Sequence, residues 1–441
     1  MMGRAERTPL SGESAEEIAA SAEDAVRRGA LRPGEGLPTV RGLAARLGVS
    51  PTTVAAAYRA LRQRGVVVTA GRRGTRVSPA PPLRAAPAPL PPGVRDLASG
   101  NPDPALLPDL RPFLRRLEPR AVLYTDAPHD PELLALARKD FAADALPAEH
   151  LAVTSGALDG IERVLAAWLR PGDPVALEDP AFTGVLHLVR AGGYGVLPVA
   201  VDDEGPRPEA LRRALRAGAR AFVWTPRAQN PTGAALSPAR GRALAAVLRD
   251  HPDLLLVEDD HASVAAGVAA RTLCRGRARF AVVRSVSKTL GPDLRLAVLS
   301  GDATSVDRVS GRQLLGMRWV SHLLQALVVQ LWRDPGVRRH LTRAATTMAA
   351  RREALLAALA DRGVEAHGRS GLNVWVPVPE ETAVVQRLAA AGWAVRAGEV
   401  YRLESPPGVR VTTAGLPEAE APAVADALAD ALRPARAGTL A

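Results

Sequence analysis

A proline- and alanine-rich segment divides the chain into two unequal parts. From Pro79 to Pro92 the sequence contains only Pro, Ala and Leu apart from one Arg. Such a composition cannot build a packed core and favours an extended, polyproline-like linker. The 441 residues should therefore form a small N-terminal domain and a large C-terminal domain. We place the N-terminal domain at residues 10–78, the linker at 79–95 and the C-terminal domain at 96–435.

The composition is that of a globular protein without a membrane segment. Apolar residues make up 47% of the chain and charged residues 23%, as in ordinary globular proteins. The longest apolar stretches, such as that from Leu323 to Leu331, fall well short of the ~18 residues that a membrane span needs. The segment from Met1 to Leu10 carries charges and Pro where a signal peptide would have an apolar region. The sequence therefore predicts a cytoplasmic protein.

Cysteine and histidine usage argues against disulfides and metal sites. Cys274 is the only cysteine, which excludes an intramolecular disulfide, and we interpret it as a loop or surface residue. The 8 histidines are scattered and form no cluster with the cysteine. We therefore predict no metal site.

Charge is distributed unevenly along the chain. The net charge of +11 comes almost wholly from arginine, since lysine occurs only at Lys139 and Lys288. Between Gly36 and Arg95 there is no Asp or Glu. The arginines of this segment are Arg41, Arg46, Arg59, Arg62, Arg64, Arg72, Arg73, Arg76, Arg84 and Arg95. A segment with charges of one sign is either a disordered basic arm or a folded surface that binds phosphates.

The pattern within this basic segment indicates two short helices separated by a tight turn. Thr39 and Ser50 can each cap a helix, and Gly48 suits the C-terminal end of the first one. Apolar residues recur at helical spacing after each cap, at Leu43 and Leu47 and then at Val54, Ala57, Tyr58 and Leu61. The spacing makes Tyr58 a core residue. Two short helices joined by a Gly-Val-Ser turn are typical of a helix-turn-helix.

A hairpin is predicted after the second helix. Val66 to Val68 and Thr75 to Val77 are β-branched runs, and Gly71-Arg72-Arg73-Gly74 supplies the turn between them. Two helices followed by a basic hairpin form a winged helix-turn-helix. The alternative is a small helical domain whose arginines only keep it soluble.

These residues resemble the DNA-binding domain of the GntR family over roughly residues 10–78. The matching motifs are Leu37-Pro38-Thr39-Val40-Arg41, Leu47-Gly48-Val49-Ser50, Thr53-Val54, Ala57-Tyr58 and Gly71-Arg72-Arg73-Gly74-Thr75. The resemblance implies that the second helix lies in the major groove of operator DNA, with Pro51, Thr52 and Thr53 nearest the bases. It also implies two sets of backbone or minor-groove contacts, from Arg41, Arg59 and Arg62 and from Arg72, Arg73 and Gly74.

The C-terminal part alternates β-branched runs with amphipathic helices. This alternation is typical of an α/β domain around a mainly parallel sheet. The predicted strands are Pro174 to Leu177, Gly195 to Val201, Ala221 to Trp224, Leu254 to Val257, Phe280 to Arg284 and Leu296 to Leu299. Ligands of such sheets bind at the carboxyl ends of the strands, so the informative residues stand there.

Three polar groups follow these strands. Lys288 lies in the segment Ser285 to Arg295, between two hydroxyls and before an arginine, which would suit a Schiff base beside a phosphate. A carboxylate of Glu258-Asp259-Asp260-His261 can keep a pyridine nitrogen protonated. The amide of Asn230, in Asn230-Pro231-Thr232-Gly233, can hydrogen-bond a phenolic oxygen. Each group alone has a structural alternative: a solvated lysine, a helix cap and a simple turn.

In this order the motifs resemble the fold-type I, aspartate-aminotransferase-like family of pyridoxal phosphate (PLP) proteins, over roughly residues 96–435. The resemblance implies that Lys288 forms the Schiff base with PLP, Asp259 pairs with the pyridinium nitrogen and Asn230 binds the ring hydroxyl. It assigns ring stacking to Phe182, in Asp179-Pro180-Ala181-Phe182. It assigns the phosphate to Ser155-Gly156-Ala157 at a helix N-terminus, completed by Ser285, Ser287 and Arg295.

The same resemblance assigns a substrate carboxylate to Arg410. This residue precedes the β-branched run from Val411 to Thr413 and is predicted to lie in a strand. A guanidinium binds a carboxylate through two parallel charge-assisted hydrogen bonds. The alternative is a surface arginine in an arginine-rich chain.

Two positions depart from the family pattern. His261 stands where the family usually has Tyr, so the second hydrogen bond to the ring oxygen becomes an imidazole contact or is lost. The segment from Tyr124 to Pro131 lacks the glycine and the Leu-Arg pair expected after the aromatic residue, although Tyr124 can still reach the phosphate of a neighbouring subunit. These departures are compatible with PLP binding and argue against efficient transamination.

A GntR-type domain joined by a linker to an aminotransferase-like domain is the arrangement of the MocR subfamily of bacterial regulators. The resemblance implies a head-to-tail homodimer that binds DNA and senses PLP, alone or as an aldimine with an amino compound. Our first hypothesis is therefore a transcriptional regulator. The alternative is a functional aminotransferase with an appended DNA-binding domain. A third reading, a degenerate dimerisation scaffold, is opposed by the retained Lys288 and Asp259.

Overall fold

The computed structural model describes residues 10–63, 65–69, 74–78 and 90–433. These residues divide into two compact units. The smaller unit comprises the described residues up to 78 together with 169–175 and 187–196, and the larger unit comprises 90–168, 176–186 and 197–433. Arg72, Arg73 and residues 79–89 of the predicted linker lie outside the described residues.

The N-terminal residues form a winged helix-turn-helix, as predicted. Its helices are α1 (Ala15–Arg27), α2 (Val40–Leu47) and α3 (Pro51–Gln63), and its strands are β1 (Val67–Thr69) and β2 (Thr75–Val77). The predicted caps form: Thr39 Oγ1 accepts the Gly42 N–H at 3.1 Å, and Ser50 Oγ accepts the Thr53 N–H at 3.0 Å. Gly48 ends α2 with a φ of 70°, in the left-handed region.

The core of this domain contains one helix that the sequence analysis did not predict. Helix α1 begins after Ser14, whose hydroxyl accepts the Glu17 N–H at 3.2 Å, and it buries Ile18 and Ala22 against α3. Tyr58 is a core residue, as predicted: it is 1% exposed, and its hydroxyl donates to the Pro38 carbonyl at 2.9 Å. The apolar stripe of α3 is therefore fully used in packing.

The remaining helices and strands follow in chain order. The helices are α4 (Arg111–Arg115), α5 (Pro131–Ala143), α6 (Ala157–Trp168), α7 (Thr183–Ala191), α8 (Pro208–Arg216), α9 (Pro238–Arg249), α10 (Ala303–Leu314), α11 (His322–Arg333), α12 (Pro335–Ala360), α13 (Glu381–Ala390) and α14 (Ala421–Leu432). The strands are β3 (Arg95–Asp96), β4 (His150–Thr154), β5 (Pro174–Asp179), β6 (Gly195–Asp202), β7 (Gly205–Pro206), β8 (Ala221–Trp224), β9 (Leu255–Asp260), β10 (Phe280–Ser285), β11 (Ala297–Gly301), β12 (Asn373–Pro377), β13 (Trp393–Ala394), β14 (Arg396–Ala397) and β15 (Gly408–Thr412).

An 8-stranded, mainly parallel sheet carries the core, in the order β4-β11-β10-β9-β8-β5-β6-β7. Strands β8, β9 and β10 are parallel, and β11 is antiparallel to both β10 and β4. The six predicted strands are all present, and several end later than predicted because polar residues such as Asp179 and Asp260 still belong to them. The side chains of Asp179 and Asp260 are buried, and both residues belong to strands instead of the loops that follow.

A smaller antiparallel sheet, in the order β12-β15-β14, lies near the C-terminal end of the chain. It packs with α12, α13 and α14 around residues such as Val374, Val409 and Leu428. Arg410 occupies β15, as predicted, between Val409 and Val411. β3 joins this region by pairing in parallel with β13.

Three further observations concern the described residues. Cys274 lies in a loop, as predicted, but it is fully buried, so its interpretation as a surface residue is wrong. No helix within these ranges has the length and apolarity to cross a bilayer. No group of three or more His, Cys, Asp or Glu side chains in the same ranges is arranged to hold a metal ion.

Candidate functional site

Asp259 is a buried carboxyl group near the end of β9. It is 4% exposed, and its Oδ1 atom has no hydrogen-bond partner among the described residues. Burial, with a smaller contribution from the charge of Asp260, raises the pKa of Asp259 to about 7. A buried acceptor without a donor is costly unless a ligand supplies one. Asp259 therefore fits a ligand that presents a cationic N–H, such as a protonated pyridine ring.

His261 follows Asp259 closely and is electrically neutral in this environment. Its Nδ1 atom lies 3.9 Å from Asp259 Oδ2. Burial, followed by the charge of Lys288, lowers the pKa of His261 to about 4. The neutral imidazole offers either a donor or an acceptor at the position where the related family usually has a tyrosine hydroxyl.

Lys288 lies in the turn that follows β10, and its ammonium points to the same region. Its Nζ atom donates to the Gly100 carbonyl at 2.6 Å. Gly100 has a φ of +71°, and a Cβ atom at this position would lie 3.0 Å from Arg410 Nη2. The backbone at Gly100 thus passes close to both Lys288 and Arg410.

Arg410 is buried in this region and is not the surface arginine that the alternative reading proposed. It is 3% exposed and donates from Nη1 to Asn230 Oδ1 at 3.1 Å and from Nη2 to the Ala98 carbonyl. Its guanidinium carbon lies 5.2 Å from the centroid of the Tyr401 ring, within the range of a cation–π contact. The structure therefore brings Asn230 and Arg410 together.

Four of the six predicted phosphate-binding residues, Ser155, Gly156, Ala157 and Arg295, lie together at the N-terminus of α6. Gly156 has a φ of +90°, and a Cβ atom there would lie 2.7 Å from Arg295 Nη2. Arg295 Nη2 also donates to the Ser155 carbonyl at 3.3 Å. Ala157 is the first residue of α6. The glycine leaves room for the guanidinium directly at the helix start, where an anion is favoured.

Three hydrogen bonds involve the predicted phosphate-binding residues or their neighbours. The Ser155 N–H donates to Asp159 Oδ2 at 2.9 Å, and Asp159 is held by Arg163 at 2.8 Å. Ser285 Oγ accepts the Ser287 N–H at 3.1 Å. Sequence reasoning missed Asp159, although an acidic residue in the first turn of a helix is a usual partner for free backbone N–H groups.

The two predicted aromatic residues lie in different surroundings. The Phe182 ring lies next to Gly184: a Cβ atom at Gly184 would be 2.6 Å from Phe182 Cε1. The same position would be 3.0 Å from Cδ1 of Leu158, the second residue of α6. Phe182 is thus close to the start of α6. Tyr124 is 76% exposed as a residue, and its ring lies against Trp319 and Arg318.

A buried charge network adjoins the site and was not predicted. Arg227 and Arg284 both bind the Asp260 carboxylate, at distances of 2.7–2.9 Å. Arg284 also binds Asp140 on α5 and Asp144, the residue that follows this helix. These guanidinium groups hold the pKa of Asp260 well below its ordinary value. The partners are far apart in the sequence, so no local pattern could have indicated them.

Those predicted DNA-binding residues that the structure describes are accessible to a ligand. Arg41, Arg59, Arg62, Pro51 and Thr52 are exposed, and Thr53 is half-buried. Gly74, with a φ of 75°, is exposed just before β2.

Hydroxyl groups cluster at the start of α3. Ser50 Oγ lies 2.7 Å from Thr52 Oγ1 and 2.8 Å from Thr53 Oγ1. These hydrogen bonds fix the hydroxyls at the helix N-terminus, where a recognition helix contacts base edges.

Comparison with known proteins decides the family. The model of aminotransferase classes I and II matches residues 92–428, and that of the bacterial regulatory proteins of the gntR family matches residues 14–77. The vitamin B6 salvage pathway transcriptional repressor PtsJ of Salmonella typhimurium strain LT2 is 42% identical over 417 residues, which cover 93% of this chain and 96% of the relative. The chain is a MocR-type regulator of the GntR family. As such it is a DNA-binding transcriptional regulator whose aminotransferase-like domain takes PLP as its cofactor.

This MocR-type regulator is also similar to a second transcriptional regulator and to solved aminotransferase structures. The HTH-type transcriptional regulator TauR of Rhodobacter capsulatus is 29% identical over 448 residues and covers 86% of this chain and 87% of its own. A kynurenine aminotransferase of Pyrococcus horikoshii superposes with a TM-score of 0.71 at 20% identity, covering 77% of this chain and 91% of the other. The C-terminal domain of the regulator therefore has the aminotransferase fold.

Proposed function

We propose that this regulator senses PLP, and that binding of PLP in the larger unit changes the affinity of the winged helix-turn-helix for operator DNA. The observation that supports the proposal most is the buried Asp259 carboxyl, which has an oxygen without a hydrogen-bond partner among the described residues. Asp259 lies beside His261, whose pKa the charge of Lys288 helps to lower. The similarity to a regulator named for vitamin B6 salvage supports PLP supply as the controlled process.

The cofactor would be held by residues that already have the required chemistry. When bound, PLP supplies an aldehyde carbon that combines reversibly with primary amines. Lys288 would attach to that carbon, Asp259 would pair with the ring nitrogen, and Asn230 with His261 would bind the ring hydroxyl. Phe182 would cover the ring. The phosphate would be bound by Ser155, Gly156, Ala157, Ser285, Ser287 and Arg295.

The electrostatics of the site favour this arrangement. With a pKa of about 7, Asp259 carries its negative charge only partly at neutral pH unless a positive charge lies opposite. A ring N–H supplies that charge, and Asp259 then keeps the nitrogen protonated. His261 remains neutral because its pKa is about 4, so it adds no second positive charge at the ring oxygen.

The domain arrangement and assembly are part of the proposal. We propose boundaries at 10–78, 79–95 and 96–435, a cytoplasmic location and a head-to-tail homodimer. In the dimer, Tyr124 would reach the phosphate of the neighbouring site, which agrees with its 76% exposure. DNA contacts would come from Pro51, Thr52 and Thr53 at the bases, and from Arg41, Arg59, Arg62, Arg72, Arg73 and Gly74 at the backbone or minor groove.

DNA binding with and without PLP tests the proposal. Fragments from upstream of the chain's own gene and its neighbours are titrated with the purified protein, and PLP is expected to change the dissociation constant of a specific fragment by ~5-fold or more. Lys288→Ala should lose the visible absorbance of the bound cofactor and the DNA response, whereas Lys139→Ala should retain both. An unchanged DNA affinity on saturation with PLP would contradict the proposal.

A second candidate function, sensing of an amino acid, is favoured by the buried Arg410. A planar guanidinium binds a carboxylate through two hydrogen bonds that an ammonium cannot reproduce. Arg410→Lys should therefore retain PLP but weaken the spectral response to an effective amino acid much more than the response to a simple amine. Equal responses to both ligands in wild type and variant would reject this candidate and leave PLP itself as the ligand.

A further inference from the structure

Glu178 is a second buried carboxyl group beside the cofactor site. It lies near the end of β5 and is 3% exposed. Its Oε2 atom accepts the Thr225 N–H at 3.1 Å and Gln229 Nε2 at 3.4 Å. Its Oε1 atom is buried and has no hydrogen-bond partner within the described ranges. No described Arg, Lys or His side chain forms an ion pair with it.

Gln229 extends this contact into the loop that carries Asn230. Its amide donates to the Pro180 carbonyl at 2.8 Å. Its amide oxygen accepts the Thr232 N–H at 3.0 Å and the Thr232 hydroxyl at 2.7 Å. Glu178 and Gln229 therefore connect the loop after β8, which presents Asn230, with the loop after β5, which leads to Phe182.

The groups that surround Glu178 determine whether its carboxyl group is protonated. Thr225 and Gln229 are neutral, and the charged group that acts on Glu178 is Asp259 on β9. Burial, opposed by the hydrogen bonds and reinforced by Asp259, raises the pKa of Glu178 to about 8. A protonated Glu178 accepts the same two hydrogen bonds without placing another negative charge near Asp259.

We propose that Glu178 is a positioning residue of the cofactor site, which as a neutral carboxylic acid fixes the loop presenting Asn230 and leaves Asp259 as the negative charge available to the ring nitrogen. The inference rests on the proposed PLP site. Glu178 itself touches neither Lys288 nor Arg410 in the hydrogen bonds of the structure; it acts through Thr225 and Gln229.

Three variants separate position from charge. Glu178→Gln keeps an oxygen for Thr225 and Gln229 and mimics the protonated acid, while Glu178→Ala removes both hydrogen bonds. Glu258→Gln is the matched control. Like Glu178, Glu258 is fully buried, accepts a backbone N–H (that of Leu273, at 2.7 Å) and has a pKa that burial raises to about 7. Because neighbouring strand residues face opposite sides of the sheet, however, Glu258 points away from Asp259.

PLP titrations followed by visible absorbance at pH 7 give the first readout. Glu178→Ala should weaken PLP binding by about tenfold, because the loop loses its buried acceptor. Glu178→Gln should rescue most of this loss, and Glu258→Gln should bind PLP like the wild type. If Glu178→Ala does not fold, Gln229→Ala removes one of the two hydrogen bonds to Glu178 and leaves the one from the Thr225 N–H, so it should weaken PLP binding in the same direction.

Unfolding of the PLP-free proteins against pH gives the second readout. An acid with an ordinary pKa of 4.5 that titrates at about 8 when folded loses stability as the pH rises between these values. Glu178→Gln removes that loss, so its melting temperature relative to wild type should increase from pH 5 to pH 8 and then level off.

Two outcomes would overturn the inference. Wild-type affinity for PLP in both Glu178→Ala and Gln229→Ala would remove the positioning role. A Glu178→Gln variant as weak as Glu178→Ala, with a melting difference from wild type that does not change with pH, would mean that Glu178 is ionised. Failure of the wild type itself to bind PLP would instead reject the proposed function, and the pH-dependent melting would still report the protonation of Glu178.

Discussion

Two neighbouring carboxyl groups on β9 have opposite roles because successive strand residues face opposite sides of the sheet. Asp260 lies between Arg227 and Arg284 and stays ionised. Asp259 has no such pair of arginines in the described part of the chain, and its pKa is raised by burial. One strand end thus supplies both a structural ion pair and a buried carboxyl oxygen without a hydrogen-bond partner among the described residues.

Replacement of Asp259 by Asn tests the second role. Asn keeps the shape but cannot hold a ring nitrogen in its protonated form, so Asp259→Asn should weaken PLP binding by about tenfold or more. The variant should also remove a buried acid whose pKa is 3.8 ordinarily and about 7 when folded. The PLP-free variant should therefore melt above the wild type at pH 8, and the difference should shrink towards pH 4. Equal PLP affinity in variant and wild type would contradict the assignment of Asp259.

Arg284 is the residue on which the buried charge network depends. Its guanidinium binds Asp260, Asp140 and Asp144 and covers the Phe141 ring at 4.7 Å. Arg284→Ala would leave the buried Asp260 with one partner, and we expect a loss of about 3–5 kcal/mol in the free energy of unfolding, measured with denaturant. Arg111→Ala, which breaks an exposed pair with Asp109, is the control and should cost little.

At the scale of elements, the proposed base contacts and backbone contacts fall on different parts of α3. Thr52 lies at its exposed N-terminus, while Arg59 and Arg62 lie on later turns. Thr52→Val should reduce the ratio of operator to non-operator affinity, since it removes a hydroxyl near the bases. Thr346→Val, on an exposed turn of α12, is the control. An unchanged ratio in Thr52→Val would exclude Thr52 as a base contact.

Arg59 and Arg62 should behave differently from Thr52. Arginines that bind phosphates release counterions without reading the sequence, so Arg59→Ala and Arg62→Ala should weaken operator and non-operator binding together. The slope of the logarithm of affinity against the logarithm of salt concentration should fall by about 1 for each phosphate that the variant no longer binds. A variant with unchanged affinity and slope would show that its arginine does not bind the DNA backbone.

The elements that sequence reasoning predicted are those with local signals. Thr39, Gly48 and Ser50 mark the ends of α2 and α3, and β-branched runs mark the strands of the large sheet. Helix α1 and strand β4 were missed, although Ser14 and Glu17 stand at the spacing of a capping box at the start of α1. The strand ends were placed too early because Asp179 and Asp260 are polar, and polarity alone does not show that a hydrogen bond or ion pair keeps a residue in a sheet.

The site was predictable only in part, because local sequence signals mark some of its residues and not others. Lys288, Asp259 and Asn230 stand in short motifs that can be recognised one at a time. Glu178 is connected to Thr225 and Gln229, and Arg284 to Asp140, across long distances in sequence. No local spacing encodes these contacts, so they require the fold.

At the scale of the whole molecule, the proposed function couples a cofactor site to a DNA-binding domain within one chain. Such coupling is a free energy shared by the two ligands, so it must act in both directions. If PLP changes the affinity for operator DNA by some factor, operator DNA must change the affinity for PLP by the same factor.

Reciprocal titration is therefore the most direct measurement. The dissociation constant of PLP is measured from visible absorbance with and without a saturating operator fragment, and that of the fragment with and without saturating PLP. We predict two changes of equal factor, both absent when a non-operator fragment of the same length is used. In Lys288→Ala, which lacks the absorbance of the bound cofactor, added PLP should leave the dissociation constant of the operator fragment unchanged. A PLP dissociation constant that is identical with and without operator DNA would contradict the proposed coupling.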